Sequence, residues 1–259
     1  MPGWASRCLV GVFNSFRIDN ARYLRNMNPV IRQIPNTLTL LNLLLGTTAI
    51  IAMTLDRIPT AIFLLGICLV ADILDGALAR KLKVSNELGI QLDSLADVVS
   101  FGVLPSMMLF YMGSRYGAGT PDQVVIMVFA ALNATSAGLR LARFNVDERP
   151  REYFWGLATP AGAMLVAGWL WAQHIDRDYG LGVAEMPWLL VLVPLFLVFA
   201  YQLAVKLPGL KSPKAGIIIA AVIVVSIIIG IFTVGPISIP IGVILYYLIG
   251  VVNYAGKWF

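Results

Sequence analysis

Four aspartates and two glycines stand at helical spacing inside two otherwise apolar stretches of this chain. Asp72, Asp75, Gly76 and Ala79 recur at i, i+3, i+4 and i+7, and Gly89, Asp93 and Asp97 at i, i+4 and i+8, so each set occupies one face of a helix. An ionised aspartate within a membrane helix costs roughly 2.5 to 3.5 kcal/mol, so four left uncompensated would cost on the order of 10 kcal/mol. They need a wet cavity, a cation, or both. Grouped carboxylates with no nitrogen or sulfur beside them suit hard divalent ions, Mg²⁺ or Mn²⁺. Zinc is disfavoured because Cys8, Cys68 and His174, the only residues of their kinds, lie away from the cluster.

The elements that must hold these groups are membrane helices. The 259 residues are 59% hydrophobic with a mean hydropathy of +0.82, outside the range of soluble domains. Apolar runs at 38–55, 60–79, 91–112, 122–142, 157–174, 187–205, 215–234 and 238–254 each approach the ~20 residues that span hydrocarbon. The expected fold is all-α, a polytopic bundle of about eight transmembrane helices. Pro35, Pro59, Pro121 and Pro187 are read as helix starts, and Pro105 and Pro160 as lying inside spans. Residues 1–35 read as an amphipathic segment on the cytoplasmic leaflet and 36–259 as one membrane domain.

With the N-terminus inside, sixteen of the nineteen Lys and Arg residues fall on the cytoplasmic side, a strong positive-inside bias. Both termini and the acidic motif are then cytoplasmic. The net charge of +5 follows from topology and from attraction to anionic lipid, with Lys206, Lys211 and Lys214 near headgroups, and not from nucleic acid binding.

Read in full, Asp72 to Asp97 spells Asp-x2-Asp-Gly-x2-Ala-Arg-x8-Gly-x3-Asp-x3-Asp, which matches the signature of the CDP-alcohol phosphotransferases. Within that family the chain resembles the phosphatidylserine synthases, through Ile34-Pro35-Asn36-Thr37-Leu38-Thr39 with Asn42, Asp93 to Pro105, Leu139-Arg140-Leu-Ala-Arg143-Phe-Asn145, and Gly156 to Ala161. Ala158-Thr159 stands where that pattern has Pro-Ser. The resemblance implies a membrane enzyme that displaces CMP from CDP-diacylglycerol with the hydroxyl of L-serine, and it implies a homodimer. Related chemistry with glycerol phosphate, inositol phosphate or choline is the nearest alternative. A cation transporter is a remote one, because transporter sites lie near the bilayer midplane.

Roles follow with their competitors. Asp72, Asp75 and Asp93 are candidate ligands of two Mg²⁺ or Mn²⁺ ions that neutralise a pyrophosphate. Asp97 is the candidate general base, or else a fourth ligand. Gly76 and Ala79 admit the CDP-lipid close to the backbone, or pack two helices together. Arg80 suits a phosphate oxygen, or snorkels to the interface. Asn36, Thr39 and Asn42 are candidates for cytosine or ribose, with helix capping as the alternative for this stretch. Arg140, Arg143 and Asn145 are candidates for the serine carboxylate or a phosphate, with topology-setting charge as the alternative.

Overall fold

The structure, a computed structural model, describes residues 29–82, 84, 87–115, 122–147, 154–179, 188–203, 206–207 and 235–256. Helix α1 spans Pro29–Thr54, α2 Ile58–Leu82, and α3 Glu87–Asp97. A π-helical segment, Val98–Val103, leads directly into α4, Leu104–Arg115. Helices α5 (Gln123–Val146), α6 (Thr159–Tyr179), α7 (Leu189–Gln202) and α8 (Ser238–Gly256) follow. Two two-residue strands, β1 (Phe154–Trp155) and β2 (Lys206–Leu207), pair antiparallel beside the ends of α6 and α7.

Among the described residues, four stretches are long and apolar enough to cross a membrane: Gln33–Thr54, Ile58–Leu82, Glu87–Ser114 and Gln123–Val146. Their outer faces carry Leu44, Phe63 and Ile73, each more than 60% exposed, as expected of a surface solvated by lipid. The protein is an integral membrane helix bundle. The span expected at 215–234 lies outside the described residues, as do residues 1–28 of the N-terminal segment.

At the centre stands the composite rod of α3, the π segment and α4. Phe101, Leu104, Met108 and Met112 along it are fully buried against Leu65 of α2, Ile126 of α5, Leu165 and Leu170 of α6, and Leu197 of α7. Helix α1 crosses this rod at Gly46, where a Cβ would come within 2.2 Å of Ser100 Oγ. Only glycine permits that approach. The Ser100 hydroxyl then donates to the carbonyl of Asn42 at 3.2 Å. Asn133 of α5 donates to Ser106 of α4 at 3.0 Å, a polar tie within the apolar interior. At the end of the bundle remote from the acidic motif, Asp56 turns the chain between α1 and α2 at φ 60° and accepts a short hydrogen bond from Tyr111.

Several boundaries depart from the sequence reading. Helix α1 starts at Pro29, so Pro35 is interior and not an opening residue. Asn36 and Thr37 therefore cannot be caps, and the Thr37 hydroxyl instead donates back to the Gln33 carbonyl at 3.1 Å. Pro160 is the second residue of α6, where its missing N–H costs nothing, so it does not kink a span. Pro105 does follow an irregularity: the wider π turn precedes it, which accommodates a residue unable to donate to the previous turn. Helix α5 is capped by Asp122, whose side chain accepts from Val124 N at 3.2 Å.

Candidate active site

At one end of the bundle, α1, α2, α3, α5 and the start of α6 enclose a cavity of about 460 Å³. Of the motif residues, Asp72, Asp75, Gly76, Ala79 and Arg80 from α2 and Gly89, Asp93 and Asp97 from α3 all border it. One oxygen from each of Asp72, Asp75 and Asp93 lies within 4.8 Å of the others. At that separation and an effective dielectric near 20, each ionised pair repels by about 3 to 4 kcal/mol. Three oxygen donors converging on one point, in half-buried to buried positions, fit a hard divalent cation.

The carboxylates are oriented by neighbours. The Thr39 hydroxyl of α1 donates to Asp75 Oδ2 at 2.6 Å and lies 3.0 Å from the Pro35 carbonyl. Such a support fixes which oxygen faces the cavity. On the opposite wall the Asn145 amide donates to Ser94 Oγ at 2.7 Å, and Ser94 donates to the Ile90 carbonyl at 3.1 Å, pinning α5 to α3. Asp97, one turn beyond Asp93, is buried and has one oxygen, Oδ1, without a hydrogen-bond partner among the described residues. It interacts electrostatically with Arg140 of α5, which is also buried and borders the cavity.

Two expected residues fall elsewhere. Asn42 is fully buried beneath the site and does not border the cavity, and its backbone carbonyl accepts from Ser100. Arg143 is exposed, absent from the cavity wall, and donates to Gln202 Oε1 of α7 in a short hydrogen bond. Conversely, the cavity includes Ser94 and Phe144, given no role from sequence, and Thr159, noted there only as a departure from the family pattern. Ser94 was legible in principle, since it follows Asp93, but nothing in the spacing marks it. Thr159 enters as the first residue of α6, whose start borders the cavity together with Ala158 and Pro160.

Residues 32–200 match the model of the CDP-alcohol phosphatidyltransferase family, and the chain belongs to that family. It is similar to proteins named CDP-diacylglycerol–serine O-phosphatidyltransferase. One from Helicobacter pylori (strain J99) is 36% identical over 135 residues, covering 51% of this chain and 54% of the relative. One from Mycobacterium bovis is 33% identical over 182 residues, covering 67% and 59%. A third, from Bacillus subtilis, is 34% identical over 135 residues, covering 51% and 73%. The chain thus spans little more than half the length of the first two.

Proposed function

We propose that this protein transfers the phosphatidyl group of CDP-diacylglycerol to the hydroxyl of L-serine, giving phosphatidylserine and CMP. The observation that carries the reading is the convergence of Asp72, Asp75 and Asp93 within 4.8 Å in a cavity whose far wall presents the buried pair Asp97 and Arg140. A metal-binding end suited to a pyrophosphate and an acid–base end suited to an amino-acid acceptor stand side by side. The names of the relatives point to the same donor and acceptor.

Each residue then has a task. Asp72, Asp75 and Asp93 would hold Mg²⁺ or Mn²⁺, which supplies charge neutralisation for the pyrophosphate and the departing CMP. Gly76 and Ala79 leave room for the donor against α2, and Arg80, whose Nη1 lies over Gly76, binds a phosphate oxygen through its planar fork. Asn36 borders the donor end and is available to the nucleotide, while Thr39 holds Asp75. Asp97 accepts the proton of the serine hydroxyl as that oxygen bonds to the phosphatidyl phosphorus. The bond from phosphorus to the bridging pyrophosphate oxygen breaks, and the electron pair leaves with CMP. Arg140 receives the serine carboxylate beside the base, and Asn145 keeps that wall in register through Ser94. The positive-inside bias supports a cytoplasmic site facing anionic lipid, and the resemblance to the phosphatidylserine synthases supports residues 36–259 as one membrane domain and assembly as a homodimer.

The test is CMP release from CDP-diacylglycerol by purified protein, with and without Mn²⁺, against serine, glycerol phosphate, inositol phosphate, choline and no acceptor. Serine-dependent, metal-dependent release is expected. Preference for another hydroxyl would replace the acceptor and leave the donor half standing.

A further inference from the structure

A second hollow, apolar and open to the membrane, lies further along the same helix that carries the first acidic face. Pro59, Phe63, Gly66 and Val70 of α2, with Trp171 of α6, line a groove of about 520 Å³. One turn beyond Val70 stands Ile73, which borders the acidic cavity. The α2 residues from Pro59 to Ile73 recur at intervals of four and three, so they form one stripe along the helix. Helix α6 walls both spaces as well, with Pro160 at the cavity and Trp171, about three turns on, at the groove. Cavity and groove therefore lie end to end between the same two helices.

Phe63, Val70 and Ile73 are each more than half exposed. Gly66 is the floor of the groove, and packing within the bundle does not account for it. A Cβ at Gly46, Gly113 or Gly168 would come within 2.8 Å of a neighbouring side chain, whereas at Gly66 it would meet no atom within 4 Å among the described residues. Glycine weakens a helix interior, so an unfilled glycine here leaves room for something outside the helix. The length of the groove is informative too. From Val70 to Pro59 it runs about 16 Å at the α-helical rise, close to the depth of one leaflet's tails, about half of the ~30 Å hydrocarbon core. Asp72 and Asp75 lie well inside the Leu82 end of α2. A donor whose pyrophosphate reaches them has its glycerol drawn down to the level of Ile73, and its tails continue from there toward Val70 and Gly66.

We propose that this groove seats one acyl chain of the CDP-diacylglycerol donor, which passes Ile73 and lies across Gly66 between Phe63 and Trp171. The inference rests on the donor assigned above. Lipid tails are as apolar as the groove, so its contribution is placement. By fixing the direction in which the chain leaves the cavity, it holds the phosphatidyl phosphorus over the carboxylate cluster.

The experiment measures serine-dependent CMP release by the full-length wild type and the graded series Gly66→Ala, Gly66→Val and Gly66→Leu. Each is assayed with dioleoyl and with dihexanoyl CDP-diacylglycerol in one detergent. The Tm should hold across the series, because the added side chain enters open space. For the dioleoyl donor kcat/KM should fall stepwise, by about five- to tenfold at leucine. That is less than a methylene commands in a water-facing pocket, since detergent solvates the displaced chain. The dihexanoyl donor, whose tails end before Gly66, should lose less than twofold, and the KM for serine should not move. Equal losses on both donors, or none on either, overturn the proposal. Equal losses accompanied by a lower Tm or a changed oligomeric state would assign the groove to packing, within the chain or between two copies. Wild-type release with a flat Gly66 series removes the groove alone. No wild-type release from either donor removes the donor reading, and the occupant of the groove with it.

Discussion

Thr39 of α1 donates its hydroxyl to Asp75 of α2 at 2.6 Å, tying the first helix of the bundle to the acidic cluster from a position 36 residues earlier. Both residues are buried, so the bond is charge-assisted in a poorly solvated setting, where such contacts contribute roughly 1.5 to 3 kcal/mol. Thr39→Val keeps the shape and removes the donor. Mg²⁺ or Mn²⁺ titrations of CMP release should show apparent metal affinity weakened about ten- to a hundredfold. Thr39→Ser should restore most of it, and a Val variant with unaltered metal dependence would make the hydroxyl a purely local helix contact.

Asp93 and Asp97 are one helical turn apart yet should fail differently. Asp93 belongs to the convergent oxygen cluster, so Asp93→Asn should abolish turnover and weaken metal-dependent binding of the CDP-lipid. Asp97→Asn should leave metal and CDP-lipid binding nearly intact and slow turnover by roughly 10² to 10⁴, the range for loss of a general base. Loss of metal binding on Asp97→Asn would move that residue into the coordination shell.

The two arginines of α5 should separate cleanly. Arg140 borders the cavity and Arg143 is engaged by Gln202. Arg140→Lys preserves charge and topology but loses the planar fork, so the KM for serine should rise about ten- to a hundredfold. Arg143→Lys should change it less than twofold. Steady-state kinetics on the two variants decides, and a reversed ranking would place the carboxylate at the outer arginine.

Gly46 is required by packing and not by chemistry. Gly46→Ala drives a methyl to 2.2 Å from the side-chain Oγ and 3.2 Å from the backbone Cα of Ser100 in the central π segment. Overpacking of this kind costs about 1 to 3 kcal/mol. The Tm in detergent should fall, and because Ser100 lies three residues past Asp97, activity should drop with it. Unchanged stability would mean that α1 can slide on the rod without cost.

Chelation offers the broadest check. Excess EDTA should stop CMP release, and Mg²⁺ or Mn²⁺ should restore it where Zn²⁺ does not, because the three convergent donors are all carboxylates. Restoration by Zn²⁺ alone would contradict a hard-ion site.

The membrane character of the chain and the acidic motif were legible in the sequence, because both depend on local regularities. A run of about 20 apolar residues has one way to satisfy its backbone in lipid, and a period of 3.6 puts Asp72 with Asp75 and Asp93 with Asp97 on defined faces. That the two faces would meet was readable from the energetic cost of leaving them apart. Boundaries were less legible: Pro35 looked like a start, but α1 begins six residues earlier, because proline restricts the preceding turn without forbidding helix on both sides.

Which residues complete the site was decided only by tertiary structure. Arg140 and Arg143 share a helix face and a residue type, and no periodicity ranks them. Gln202, 59 positions beyond Arg143, occupies the outer one and leaves the inner one bordering the cavity with Asp97. Asn42, three residues from Thr39, seemed equally placed for a ligand, yet the close crossing at Gly46 buries it under the rod. Tyr201 carries no sequence signal, since one tyrosine in an apolar helix looks like core. Its seat is set by the close approach of Gly156 to its carbonyl and by the absence of a side chain at Gly162, contacts between elements some 40 residues apart that only the packed bundle brings together.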